Sequence, residues 1–586
     1  MNKIIKIQKF LKKNKYNIFL INRTDEFLGE YIANYAERLN WLTGFSGSAG
    51  RAIITQNSAE LFVDGRYTFQ AKKEINLKLI KINHLNHYWD YLKKLKNQNI
   101  KIIIDIRLHS VQEVIKIQKL FLKSKIKVHF LKKNPIDDLW NNQPTYPNSK
   151  IFEHPLKYAG KTREYKIKLF RSKLQNNKID YFILSSLDSI AWLLNIRGND
   201  IDLTPLAFAY LLIPKRGKLT LFCNIKKIEE NLKRKLKGLC YLKDFTDIKK
   251  EFSSIPKFQF VSMDYSNTPF YFKDLCESIS LKTLHIKNPC IELKASKNLT
   301  ELKGAKRANI RDGISIVKFL YWLKNKKNLK NISEIKVADY LLALRKKNKL
   351  FYSLSFDTIS AFGKHSALPH YRVSKNSNYQ LKKNNIYLCD SGGQYKDGTT
   401  DITRTIILGN PSEEMKDRFT RVLKGHIAIS TKIFRKGTTG SDIDHLARKS
   451  LIEIGCDYDH GTGHGIGSFL SVHEGPQRIS KKLKVRDAIL KQGMIISNEP
   501  GFYSENKYGI RIENLLIVKK KYSNYLQFET ISFAPIDIDL IKIDLLTQNE
   551  IEWINNYHNQ VYQKVSKYIS KRERKWLKLV TNPLKY

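Results

Sequence analysis

The stretch from Tyr387 to Thr405 reads YLCDSGGQYKDGTTDITRT and sets Asp390 and Asp401 eleven positions apart, each in a run that otherwise suits a buried strand. Two carboxylates brought together repel, and burial worsens the repulsion, so the pair needs a compensating charge. A metal ion supplies one. Further along, HGTGHGIGSFLSVHEGP holds His460, His464 and His473, ISNEPGFY holds Glu499, and YGIRIENLLIV holds Glu513. Strand alternation places Glu513 on the face opposite Ile510 and Ile512. Two aspartates, two glutamates and one imidazole form an oxygen-rich donor set, which suits Mn²⁺ and similar ions better than structural zinc. Five such ligands, several able to bridge, are enough for a two-metal site.

Elements must bring these residues together. Ile386 to Asp390 reads as one strand and Thr399 to Leu408 as another, with Asp401, Thr403 and Thr405 on one face of the second. A bent ribbon between them would bring the two aspartates close. By the same alternation Arg404 faces away from Asp401, and Cys389 faces away from Asp390 as a buried apolar filler rather than a nucleophile. The glycines of GTGHGIG lack the Lys and Ser/Thr of a phosphate loop. His426 and His445 lie in helical stretches with no partner motif and receive no role.

Upstream, Ile310, Ile314, Val317 and Tyr321 recur at helical spacing. The first half holds a weak internal echo. KYNIFLINRTD, LNWLTGFSGSAGRAIIT and AELFVDGRY are matched later by KIDYFILSSLD, IAWLLNIRGND, AFAYLLI and KLTLFCN. Each copy runs strand, Trp-containing helix, Gly-containing turn, strand, strand, which predicts two similar α/β domains. Pro- and Asn-rich residues 141–155 mark one seam, and KNPCIELKASKNLTELKG marks a second. The expected domains are 1–150, 151–298 and 299–586, the last closed by a helical C-terminal extension.

The chain has 586 residues, with 104 Lys+Arg against 55 Asp+Glu, a net charge of +49. A basic balance of this size raises nucleic acid as a partner. The excess is mostly Lys, spread along the chain beside abundant Ile and Asn, which reads as compositional bias, so nucleic acid is kept only as a rival. Six scattered cysteines without a CxxC pair suit a reducing compartment. The N-terminus, MNKIIKIQKFLKKNKYN, reads as an amphipathic helix and not a signal peptide, and no apolar run has the length of a membrane span. A cytoplasmic protein is expected.

Taken together, these motifs resemble the Xaa-Pro aminopeptidases of the long, three-domain cytosolic type, within the methionine aminopeptidase, prolidase and creatinase superfamily. The resemblance covers essentially the whole chain. It rests on NWLTGFSGSAGRAII and DGRY, on LDSIAWLLNIRGNDI, and on ALPHY, DSGGQYKDGTTDITRT, HGTGHGIGSFLSVHEGP, NEPGFY, GIRIEN and WINNYH. It implies two creatinase-like N-terminal α/β domains followed by an α+β pita-bread catalytic domain. It implies that Asp390, Asp401, His464, Glu499 and Glu513 hold two divalent ions, with manganese expected. Asp401 and Glu513 would bridge, Asp390 would hold one ion, and His464 and Glu499 the other. His370, His460 and His473 match histidines that bind substrate and stabilise the reacting centre, and Glu499 is the expected proton shuttle. A hydroxide bridging the ions would attack the carbonyl before proline. The N-terminal domains would cap the site, with Arg66 of DGRY considered for its mouth, and a homodimer is expected. The rivals are a prolidase restricted to Xaa-Pro dipeptides, a non-catalytic binding module, and a metal-free creatinase-like hydrolase. The intact donor set disfavours the last two.

Overall fold

The computed structural model describes residues 2–174, 179–481 and 487–585. The chain forms two compact units, Met1–His154 with Thr162–Cys290, and Pro155–Lys161 with Ile291–Tyr586.

The first unit holds two six-stranded sheets with one topology. The first sheet runs Lys81–His84, Ala59–Val63, Gly50–Thr55, Ile18–Asn22, Lys101–Ile104, Lys127–Phe130; the second runs Cys240–Lys243, Leu219–Phe222, Tyr210–Pro214, Tyr181–Leu184, Phe260–Met263, Lys282–His285. In both, the third and fourth strands pair antiparallel, as do the second and third, and the remaining pairs are parallel. The echo in the sequence is therefore a repeated fold. All five residues of Ile18–Asn22 are buried, which accounts for a continuous apolar run rather than alternation. Helix Lys3–Lys13 buries Ile4, Ile7 and Leu11 and turns its lysines outward, as the amphipathic reading requires.

In the second unit, helix Leu299–Lys324 starts at Asn298, whose side chain caps Thr300 and Glu301 while Glu301 caps Asn298 in return. Ile310, Ile314 and Val317 pack into one core cluster, as the spacing predicts. A second stripe, Ile316, Phe319, Leu320 and Leu323, packs into another with Tyr387, Ile402 and Ile406. The helix is thus wedged between two cores, so its sequence shows two overlapping stripes.

Three strands, Ile359–Phe362, Asn385–Ser391 and Ile402–Leu408, make one antiparallel sheet. Ile433–Arg435, Tyr525–Thr530, Asn514–Tyr522 and Ile495–Asn498 make a second. Hairpins Gly463–His464 with Arg478–Ile479, and Gly501–Ser504 with Tyr508–Arg511, complete the site's supports. Helices Glu413–Ser430 and Gln548–Val565 pack behind them. Among the described residues, no helix is long and apolar enough to cross a membrane.

Candidate metal centre

Asp390 stands in the middle strand of the three-stranded sheet, opposite Thr403. Asp401 does not lie on a continuous strand. The expected Thr399–Leu408 run breaks into Gly398–Thr399 and Ile402–Leu408, and Asp401 occupies the break. The kink turns its carboxylate toward the acids while Thr403, two positions on, keeps the same face: its Oγ1 donates to Glu513 Oε2 at 2.8 Å. Glu499 follows Ile495–Asn498, and Glu513 sits between Tyr508–Arg511 and Asn514–Tyr522.

The Asp401, His464 and Glu513 ligand atoms lie within 4.8 Å of one another. His464 Nε2 is 3.5 Å from Asp401 Oδ2 and 3.4 Å from Glu499 Oε1. His464 Nδ1 meets Gly465 O at 3.1 Å, which makes Nδ1 the protonated nitrogen and turns the Nε2 lone pair toward the acids. Asp390, Asp401 and Glu513 are 8%, 4% and 1% exposed. Asp390 Oδ2 accepts from an Arg511 terminal nitrogen at 2.6 Å, and its buried Oδ1 has no hydrogen-bond partner.

Such crowding is costly. Burial, then the neighbouring acids, push the Asp401 and Glu513 carboxyls well above the usual carboxylate range. Burial lifts Glu499 to about 7 against the pull of Arg511. Acids that resist ionising, an orphaned buried oxygen and an imidazole nitrogen aimed at them make a donor set that fits hard divalent cations.

Of the other expected residues, His473 and His460 connect to this cluster. The His473 and His464 ring centroids are 4.3 Å apart at 77°. His460 Nε2 pairs with Tyr503 OH at 2.8 Å, and Arg511 donates to the same hydroxyl at 2.7 Å, so His460, Tyr503, Arg511 and Asp390 form one chain. Half-buried His370 follows a turn, Gly363–Ala367, that is tied to the Tyr508–Arg511 strand by Gly509 N donating to Ser366 Oγ at 2.7 Å. The Arg66 side chain lies outside the described residues.

The glycines of GTGHGIG serve close approach. A Cβ on Gly463 would collide with the Ser497 carbonyl oxygen, and one on Gly465 with that of Glu474. Cys389 is buried in the apolar cluster on the far face, as alternation predicts. His445 is exposed. His426, given no role from sequence, is buried and joins two site segments: Nδ1 to Asn498 O and Nε2 to Asn514 Nδ2, each at 3.1 Å. Burial drops its pKa to about 3, so it is neutral. Arg511, which ends the Tyr508–Arg511 strand two positions before Glu513, was also missed.

The fold is that of an M24 metallopeptidase carrying creatinase-type N-terminal domains. Residues 303–520 match metallopeptidase family M24, residues 524–584 its C-terminal region, and residues 3–130 and 142–301 two families of creatinase/prolidase N-terminal domain. The probable Xaa-Pro aminopeptidase P of Coprinopsis cinerea is 37% identical over 606 residues, 99% of this chain and 97% of that one. The X-prolyl aminopeptidase of Caenorhabditis elegans, described as a cytosolic enzyme with a di-nuclear active site, matches with a TM-score of 0.94 and 31% identity over 99% of each chain. The Xaa-Pro dipeptidase of Bacillus anthracis matches with a TM-score of 0.53 and 25% identity over 64% of this chain and 99% of its own. The chain belongs to the Xaa-Pro aminopeptidase P family, with the pita-bread catalytic fold of M24 peptidases.

Proposed function

We propose that this chain removes an N-terminal residue from peptides whose second residue is proline, and that Asp390, Asp401, His464, Glu499 and Glu513 hold two divalent ions for the task, Mn²⁺ being the expected metal. The observation that carries the reading is the convergence of four acids and one oriented imidazole, largely buried, an arrangement whose repulsion cations relieve. In this reading Asp390 would serve one ion, His464 with Glu499 the other, and Asp401 with Glu513 would serve both. When bound, the two ions would supply Lewis acidity and lower the pKa of a nearby water for attack on the carbonyl before proline.

The chain's own groups do the rest. Glu499 titrates near neutrality in the metal-free cleft and passes the water's proton to the leaving nitrogen. That nitrogen belongs to proline and has no N–H, so the pocket must recognise the ring's shape rather than a donor. His473, set against His464, or His370 stabilises the developing oxyanion. His460 is held by Tyr503 for substrate contact. Arg511 fixes Asp390. The full-length likeness to aminopeptidases, against a dipeptidase match over 64% of the chain, favours peptide over dipeptide substrates. A cytosolic location, as described for the nematode enzyme, belongs to the same proposal.

The test is hydrolysis of an Xaa-Pro-Yaa tripeptide by metal-stripped protein with and without Mn²⁺, beside Asp401→Asn. Mn²⁺-dependent release of the first residue, lost in the variant, is expected. No release by folded protein under any divalent metal would overturn the reading, and release confined to Xaa-Pro dipeptides would favour the dipeptidase.

A further inference from the structure

Arg404 lies behind the acids. The register between Ile402–Leu408 and Asn385–Ser391 runs through it without a bulge, and its side chain is buried. Its Nε donates to Pro535 O at 3.1 Å. One terminal nitrogen donates to Thr403 O at 2.8 Å and Glu513 O at 2.7 Å. The other donates to Asn514 Oδ1 at 2.9 Å, Ala534 O at 2.8 Å and Tyr557 OH at 2.6 Å. All six of these acceptors are neutral. Buried Arg345, Arg448 and Arg511 each hold an acid instead. Burying a guanidinium without an acid in contact is costly, so it needs a reason.

The reason lies one backbone thickness away. The Thr403 and Glu513 carbonyls that Arg404 grips belong to the segments carrying Asp401 and the Glu513 carboxylate. Those segments are already joined, Glu513 N donating to Thr403 O at 3.2 Å. Asn514, held by Arg404, contacts His426, which in turn meets the carbonyl of Asn498, the residue before Glu499. One hydrogen-bonded layer thus reaches the backbones of all three segments. Its six bonds from Arg404 use no carboxylate oxygen. Arg511, by contrast, occupies Asp390 Oδ2 directly.

We propose that Arg404 is a positioning residue for the metal centre. Its planar fork fixes the spacing of Asp401 and Glu513 through their backbones, and its charge offsets repulsion among the acids while leaving their oxygens available. The inference rests on the ligand set proposed above. Lysine keeps the charge and loses the fork.

The experiment is calorimetric titration of Mn²⁺ into metal-stripped wild type, Arg404→Met, Arg404→Lys and Tyr557→Phe, with the thermal midpoint of each metal-free form. Residues that orient ligands typically change metal affinity by about 10–100-fold when removed. Arg404→Met is expected to fall in that range, with Arg404→Lys between it and wild type. Should Arg404→Met fail to fold, Tyr557→Phe removes one of the six acceptors and is expected to weaken binding about threefold, below the range for a whole orienting residue. A merely structural Arg404 would lower the metal-free midpoint and leave Mn²⁺ affinity unchanged, and that result overturns the proposal, as does unchanged affinity in Tyr557→Phe. Wild type that takes up no Mn²⁺ would overturn the ligand set itself, a separate and recognisable failure.

Discussion

Arg511 meets the acid cluster directly, holding Asp390 with one terminal nitrogen and the Tyr503 hydroxyl with the other. Its contribution should appear even without substrate. Removing one partner of a buried ion pair leaves the other charge uncompensated, so Arg511→Met should destabilise the metal-free protein by about 3–5 kcal/mol, read from urea unfolding; a change near zero would show that Asp390 is neutralised by other means. Glu499 makes a pH prediction. Its carboxyl lies at about 7 in the fold against an ordinary 4.5. Between those values the unfolded chain has released a proton that the metal-free fold retains. The unfolded state then binds fewer protons, and stability falls as pH rises, by about 3 kcal/mol over the full shift. Buried neutral His426 and His558 act in the opposite direction, so the Glu499 share is read as the difference from Glu499→Gln. With metal removed, wild type should lose stability relative to that variant between about pH 4.5 and about pH 7, and Mn²⁺ should erase the loss. A constant difference across that range would contradict the raised carboxyl.

At the scale of elements, the His464 hairpin is held against Ile495–Asn498 by the Gly465–Ile496 bridge and by Ser497 Oγ accepting from His464 N at 2.9 Å. Gly463 makes that approach possible, since a Cβ would strike the Ser497 carbonyl. Gly463→Ala should therefore push His464 out of line, costing about 1–3 kcal/mol in fold stability and most of the Mn²⁺ affinity; wild-type affinity in a folded variant would show the hairpin to be more pliable than its packing suggests. Period-two alternation read much of this region correctly. It placed Thr403 and Thr405 with Asp401, and sent Cys389 and Arg404 away. It did not show the break at Asp401, because a kink between short strands leaves the alternation of each intact. Nor did it show what Arg404 and His426 do. Apart from Thr403 O, their partners lie more than seventy residues away in sequence, and backbone partners leave no residue-type signature to read.

For the whole molecule, the legible feature was repetition: two apolar strand runs, each with a Trp-containing helix after it, became two sheets of identical strand order. Composition gave the net charge of +49 but no location, since lysines distributed along a chain make a general field rather than a patch. Such a field still acts on charged substrates, because long-range attraction concentrates anions near the protein. Its reach shrinks from about 30 Å at 0.01 M salt to about 3 Å at 1 M. Two peptides sharing an N-terminal Xaa-Pro and differing only in a distal run of glutamates or lysines isolate the effect, since neither run touches the scissile bond. The acidic peptide should show the higher kcat/KM at about 0.01 M salt, mainly through KM, and the ratio should approach one by about 1 M. A ratio that persists at high salt would instead mean that specific contacts read the distal residues, and a ratio of one throughout would mean that the lysine excess does not reach the substrate.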